Sequence, residues 1–131
     1  MKKTTRGFTL IELLVVVALV GVLSAIGIPI YSGYISSSRD KQAQITIKSI
    51  AVAQESYKLL SGAYFNATCD EQAASKISNS LMSNAPIETS YFIYCTTVDS
   101  SNSSPNFLVS ATNRKTSKVF KVNQDGVTTG F

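Results

Sequence analysis

Histidine and tryptophan are both absent from the 131 residues. Without imidazole the chain has no Ser-His-Asp or Cys-His relay and no histidine-ligated metal. It also lacks a Gly-rich phosphate loop and a carboxylate cluster suited to acid–base work or metal binding. The C-terminal stretch offers one carboxylate, Asp125, too few oxygen ligands for Ca²⁺. These absences argue against an enzyme, and neither a cofactor nor a metal site is expected. Proline occurs three times and cysteine twice. Charged residues are sparse at 15%, and they are unevenly placed.

Charge is missing altogether from Leu13 to Ser38. Just before that gap, Glu12 sits inside an otherwise apolar segment. A carboxylate in a membrane-spanning helix costs about 2.5–3.5 kcal/mol even on insertion scales. A chain that keeps one there has a use for it, and that use needs a positive partner at the same depth. Phe8 to Ile28 is broken only by Thr9, Glu12 and Ser24, and is long enough to cross a bilayer as a helix. The formal charge of +4 is concentrated ahead of it: Lys2, Lys3 and Arg6 supply +3. Without them nine Lys/Arg face eight Asp/Glu, a difference of +1. The basic balance therefore reports a leader of the kind that stays on the cytoplasmic side, not affinity for nucleic acid. An ordinary signal peptide cut at a site such as Ala25-Ile26-Gly27 would also carry an apolar run. It explains neither Glu12 nor the Gly7-Phe8 pair directly after the basic residues. An uncut anchor is the third reading.

Pro29 removes one helical hydrogen bond and is expected to kink the helix. Gly21, Gly27 and Gly33 weaken the same stretch. Beyond it, Ile35, Ala43, Ile47, Ile50, Ala51, Gln54, Tyr57 and Leu60 recur near helical spacing. Arg39, Asp40, Lys41, Lys48, Glu55 and Lys58 take other faces. This predicts an amphipathic continuation of one helix from Phe8 to about Leu60, stopped at Ser61-Gly62. A short helix is expected within Asp70–Met82, closed off by Pro86. Strands are expected at Tyr91–Val98, Asn106–Thr112, Lys118–Asn123 and Val127–Phe131. Asn102-Ser103-Ser104-Pro105, Arg114-Lys115-Thr116 and Asp125-Gly126 are the turns. Turns this short make neighbouring strands antiparallel. The fold class is α+β, with a long helix on a small antiparallel sheet. The organisation is a leader at 1–7, an apolar helix at 8–34 and a head at 35–131. Within the head, 35–61 is helix, 62–89 is connection and 90–131 is sheet. In an exported chain the even pair Cys69 and Cys95 reads as one disulfide.

The order of basic leader, Gly7-Phe8-Thr9-Leu10-Ile11-Glu12, apolar helix and small sheet resembles a type IV pilin precursor. The specific resemblance covers about the first 35 residues. It implies that a membrane prepilin peptidase cuts between Gly7 and Phe8 and methylates the new amino group of Phe8. Glu12 would then be the fifth residue, pairing with the amino terminus of a neighbouring subunit. Two opposite charges in low dielectric attract strongly and each is costly alone, so the pair would select correctly staggered subunits. Gly21 and Pro29 match positions that bracket a stretch able to lose helical hydrogen bonds in the filament. The implied partners are further copies of the chain in a helical filament, the peptidase, an assembly platform with its ATPases, minor pilins, and the membrane before assembly. The implied locations are the inner membrane first and the extracellular pilus afterwards. The implied roles are adhesion, twitching motility or DNA uptake. One departure stands out. The larger pilins usually close their disulfide around a segment near the C-terminus, whereas here it would tie the connecting region to the first strand.

Two related readings use the same N-terminal signal. A type II secretion pseudopilin shares it, although the C-terminal calcium site common in major pseudopilins has no ligands here. A minor DNA-binding pilin would need a phosphate-binding patch. Arg114, Lys115, Lys118 and Lys121 cluster around one turn as candidate DNA contacts. Aromatic residues for base stacking do not interleave with them, although Phe120 is adjacent. Four cations near a turn are more often a solvated hairpin end.

Overall fold

The computed structural model describes residues 7–99 and 106–131. The leader residues 1–6 and the turn expected at 102–105 lie outside them. The chain divides between Ser38 and Arg39 into two compact units. One helix, α1 (Leu10–Ser61), contributes to both.

In the first unit α1 is apolar all round, and its large side chains are exposed. The helix runs on through Pro29. Ser24 Oγ donates to the Val20 carbonyl at 2.7 Å, and Ser32 Oγ donates to the Pro29 carbonyl at 2.9 Å. Both serines thereby spend their hydroxyls on their own backbone, which suits an apolar setting.

In the second unit α1 turns amphipathic. Ala43, Gln44, Ile47, Ile50 and Gln54 are buried at spacings of one to four. Leu59 and Leu60 are almost fully exposed, so the buried stripe ends before Leu60, where the sequence pattern extended it. The helix stops as expected. Gly62 takes φ +82°, and its N–H donates to the Lys58 carbonyl at 2.8 Å, the left-handed C-terminal cap that glycine permits. Helix α2 follows at Ala73–Leu81.

The sheet is a meander, β1 (Phe92–Asp99), β2 (Asn106–Asn113), β3 (Val119–Asn123) and β4 (Thr128–Thr129), in the order β1-β2-β3-β4 with every pair antiparallel. Its period of two sets one face against α1. Tyr94 lies opposite Ala111, and Ala111 opposite Phe120. Thr96 lies opposite Val109, and Val109 opposite Val122. Of these, Tyr94, Ala111, Phe120, Val109 and Val122 join Ala43, Ile47 and Ile50 in one core, with Thr96 buried beside them. The last strand is shorter than its apolar ends led the sequence to imply, because Gly130 takes φ +84° and leaves the ladder.

The free edge of β1 is covered by an extended piece of the connecting region. Ala67 and Thr96 exchange both backbone hydrogen bonds, at 2.9 and 3.1 Å. Two residues on, Cys69 is bonded to Cys95 with their Cα atoms 4.8 Å apart. Two residues before, the Phe65 backbone is held by the Gln54 amide: its N–H donates to Oε1 at 2.9 Å, and its carbonyl accepts from Nε2 at 2.6 Å. The same Nε2 donates to Thr96 Oγ1 at 2.5 Å. Residues 65, 67 and 69 are thus each fixed by a different chemistry, and an edge prone to stray strand pairing is closed.

Candidate assembly site

The N-terminus of α1 is built by four residues. Thr9 is the cap, and Leu10, Ile11 and Glu12 form the first turn. Glu12 Oε2 accepts from the Thr9 N–H at 2.9 Å and from Thr9 Oγ1 at 2.8 Å. In return the Glu12 N–H donates to Thr9 Oγ1 at 3.3 Å. This is a capping box, written in the sequence as Thr-x-x-Glu. The negative carboxylate also sits at the positive end of the helix dipole. Thr9 was not singled out in the sequence, although the Thr-x-x-Glu spacing before an apolar run is its signal. Phe8 is exposed immediately ahead of the box, and Gly7, also exposed, precedes it; among the described residues, chain neighbours aside, no atom lies within 4 Å of where a Gly7 side chain would begin. Gly21 and Pro29 lie further along the same exposed helix.

The four cations proposed for nucleic acid are not equivalent. Arg114 is engaged by Glu71 through two bonds of 2.8 and 2.7 Å, and its Nε donates to the Thr89 carbonyl. This pairing holds the Glu71 carboxyl below its ordinary value of 4.5. Lys118 Nζ is 2.8 Å from Asp40. Lys115 is at the exposed tip of the β2–β3 turn, and Lys121 projects from β3 on the face away from the core. Two of the four cations therefore already have carboxylate partners. Next to Glu71, Asp70 accepts from Lys76 at 3.0 Å and from Thr68 at 2.9 Å, which lowers its pKa from the usual 3.8.

Sequence comparison bears on the helical end alone. Residues 2–28 match the prokaryotic N-terminal methylation motif. The chain carries the type IV prepilin motif. The similarity extends into curated relatives of the same kind. The type IV major pilin protein PilA of Myxococcus xanthus is 44% identical over 52 residues, 40% of this chain and 24% of that protein. The type IV major fimbrial protein FimA of Dichelobacter nodosus is 56% identical over 39 residues, 30% of this chain and 25% of that protein. A fimbrial protein of Pseudomonas aeruginosa is 43% identical over 54 residues, 41% of this chain and 35% of that protein. The chain thus spans about a quarter to a third of the length of these relatives. No solved structure matches it. The prepilin motif coincides with the exposed helix and its Thr9–Glu12 box, while the head lies largely beyond the similarity.

Proposed function

We propose that this chain is the structural subunit of a type IV pilus filament. The observation that carries the proposal is the coincidence, in one register, of the methylation motif, the exposed Gly7-Phe8 bond, the Glu12 carboxylate and a helix apolar enough to cross a membrane. The subunit waits in the inner membrane with its basic leader on the cytoplasmic side. Prepilin peptidase cuts between Gly7 and Phe8 and methylates the Phe8 amine. Glu12 is then the fifth residue, and its carboxylate attracts the amine of a neighbouring subunit at the same depth. Away from water that attraction is strong, and a missed pairing leaves two uncompensated charges. Assembly thus favours one stagger. Apolar helices replace lipid with one another in the filament core. Gly21 and Pro29 mark the stretch that gives up helical hydrogen bonds as the helix is repacked. The platform and its ATPases supply the work, and the filament ends on the cell surface.

Intact-mass measurement of filaments sheared from the native cells tests this. The expected species begins at Phe8, carries one added methyl and lacks two hydrogens for the Cys69–Cys95 bond. Abundance then separates a major from a minor pilin. A processed chain that stays in the membrane and is never sheared off is the pseudopilin outcome. A chain that retains residues 1–7 overturns the role given to Glu12.

A further inference from the structure

The first charges beyond the membrane-spanning part of this chain form a group that the filament role does not use. After the uncharged run ending at Ser38, Arg39, Asp40 and Lys41 follow directly. The fold brings a second element to the same place. Lys118 Nζ bonds Asp40 at 2.8 Å, although 78 residues separate them in sequence. That bond fixes the β2–β3 turn beside the start of the head. The turn is itself rigid. Asn113 Oδ1 accepts from the N–H groups of Lys115 and Thr116, at 2.9 and 3.0 Å, and Lys115 is left exposed at the tip. Arg39 is held too, with its guanidinium carbon 3.7 Å from the centre of the Tyr91 ring. Lys41 makes one long bond to Gln44, at 3.4 Å. Lys118 thus engages Asp40, Arg39 and Lys41 flank Asp40 in sequence, and Lys115 lies on the same β2–β3 turn as Lys118. Glu88, which lines a small groove with Arg39, accepts from the Ser90 N–H at 2.8 Å.

The position of this group along the chain selects its partner. A helix needs about 20 residues to cross the hydrocarbon. A span that begins near Phe8 leaves Tyr31 and Tyr34 at the depth where aromatic residues sit among headgroups. Arg39 is the first charge beyond them. Cations within about a Debye length of an anionic leaflet are drawn to it. We infer that Arg39, Lys41 and Lys115, with Lys118 anchoring the turn through Asp40, form a collar that binds the phosphates of anionic phospholipid headgroups while the subunit is held in the bilayer. The inference rests on the reading of α1 as a membrane span. Duplex DNA is the less favoured ligand, because two of the four cations around the turn, Arg114 and Lys118, are engaged by Glu71 and Asp40, whereas Arg39 and Lys41 follow the uncharged run directly.

Native mass spectrometry of the full-length chain, released from detergent micelles with phosphatidylglycerol or phosphatidylcholine added, tests the collar. The variant Arg39→Gln/Lys41→Gln/Lys115→Gln leaves the Lys118–Asp40 pair intact, and Lys48→Gln is a cation control outside the collar. Lys2, Lys3 and Arg6 also attract anionic lipid, so the readout is the difference between wild type and variant. The expected result is preferential retention of phosphatidylglycerol, reduced on the order of tenfold to a hundredfold in the triple variant and unchanged in the control. Equal retention of both lipids, or a triple variant that binds like wild type while keeping its disulfide and helical content, overturns the inference. Displacement by inorganic phosphate alone, or by a short duplex DNA in preference to lipid, overturns the lipid assignment. Alkaline carbonate extraction of native membranes is run alongside. A chain that is extracted removes the spanning reading itself. A chain that is retained, yet shows no lipid preference, removes only the collar.

Discussion

Gln54 carries more of the head's order than its residue type announces. It has no solvent exposure, and its amide satisfies both the N–H and the carbonyl of Phe65 as well as Thr96 Oγ1. Gln54→Leu keeps the bulk and removes all three bonds, stranding buried backbone groups that cost about 1–3 kcal/mol each. A loss of about 2–4 kcal/mol in urea unfolding is expected, and an unchanged midpoint would show that water replaces the amide. Gly130 makes a steric demand instead. A Cβ there would lie 2.1 Å from the Val119 carbonyl oxygen, at a φ of +84°, a region costly for other residues. Gly130→Ala is expected to free β4 and lift Phe131 from the Phe120 ring, now 5.7 Å away. Faster amide exchange at Val127 to Thr129 reads this directly, and wild-type protection there would refute it. Local pattern betrays neither residue. Gln54 sits at an ordinary amphipathic spacing, and its bonds reach across 11 residues to Phe65 and 42 to Thr96.

At the scale of elements, the extended segment over β1 depends on its cross-link. Closing a loop with a sequence separation of 26 stabilises by about 3–4 kcal/mol in the chain-entropy model. Cys69→Ser/Cys95→Ser is expected to lose about that much in urea unfolding and to raise exchange at the Ala67 and Thr96 amides before the rest of the sheet. Uniform loosening instead would mean that the segment does not guard the edge. The ion pairs flanking α2 act on pH. Asp70 and Glu71 both titrate below their ordinary values of 3.8 and 4.5, chiefly through bonds to Lys76 and Arg114. Their contribution is complete above those values and is lost as pH falls through and below them. A melting series taken downward from pH 6 should therefore drop less steeply in Glu71→Gln than in wild type, and parallel curves would contradict the linkage. Much of this level was legible in sequence. The long helix, its glycine stop, the short helix and four strands are written in spacings of 3.6 and 2 and in turn residues. The strand ends differ from the expected ones by at most two residues. The tie of the connecting region to β1 through Cys69 and Cys95 was legible too; the Ala67–Thr96 pairing beside it and the Arg114–Glu71 and Lys118–Asp40 pairs were not, because contacts 43 and 78 residues apart leave no periodic trace. At the N-terminus the reverse held: the motif was plain, and only the hydrogen bonding between Thr9 and Glu12 awaited coordinates.

The molecule as a whole consists of two units that make different demands on their surroundings. In the first, every large apolar side chain from Phe8 to Tyr34 is at least half exposed. A helix apolar on all sides is stable only where lipid or other protein covers it. In the second, the core runs through Ile47, Ile50, Tyr94, Val109, Phe120 and Val122 and is stapled by the disulfide. The exposed Ile45, Val52 and the Leu59-Leu60 pair are separated along the helix by Lys48, Ser49, Glu55 and Ser56. Nothing in that core is drawn from residues before Ala43, so a chain beginning at Arg39 retains all of it. Residues 39–131, expressed with oxidation of Cys69 and Cys95, are therefore expected to be monomeric and folded without detergent, whereas the full chain requires detergent or a bilayer. Size-exclusion chromatography and cooperative thermal unfolding of the fragment check this. A fragment that aggregates or melts without a transition would mean that the head relies on the apolar helix for its fold, and the two parts could not be assigned separate tasks of anchoring and display.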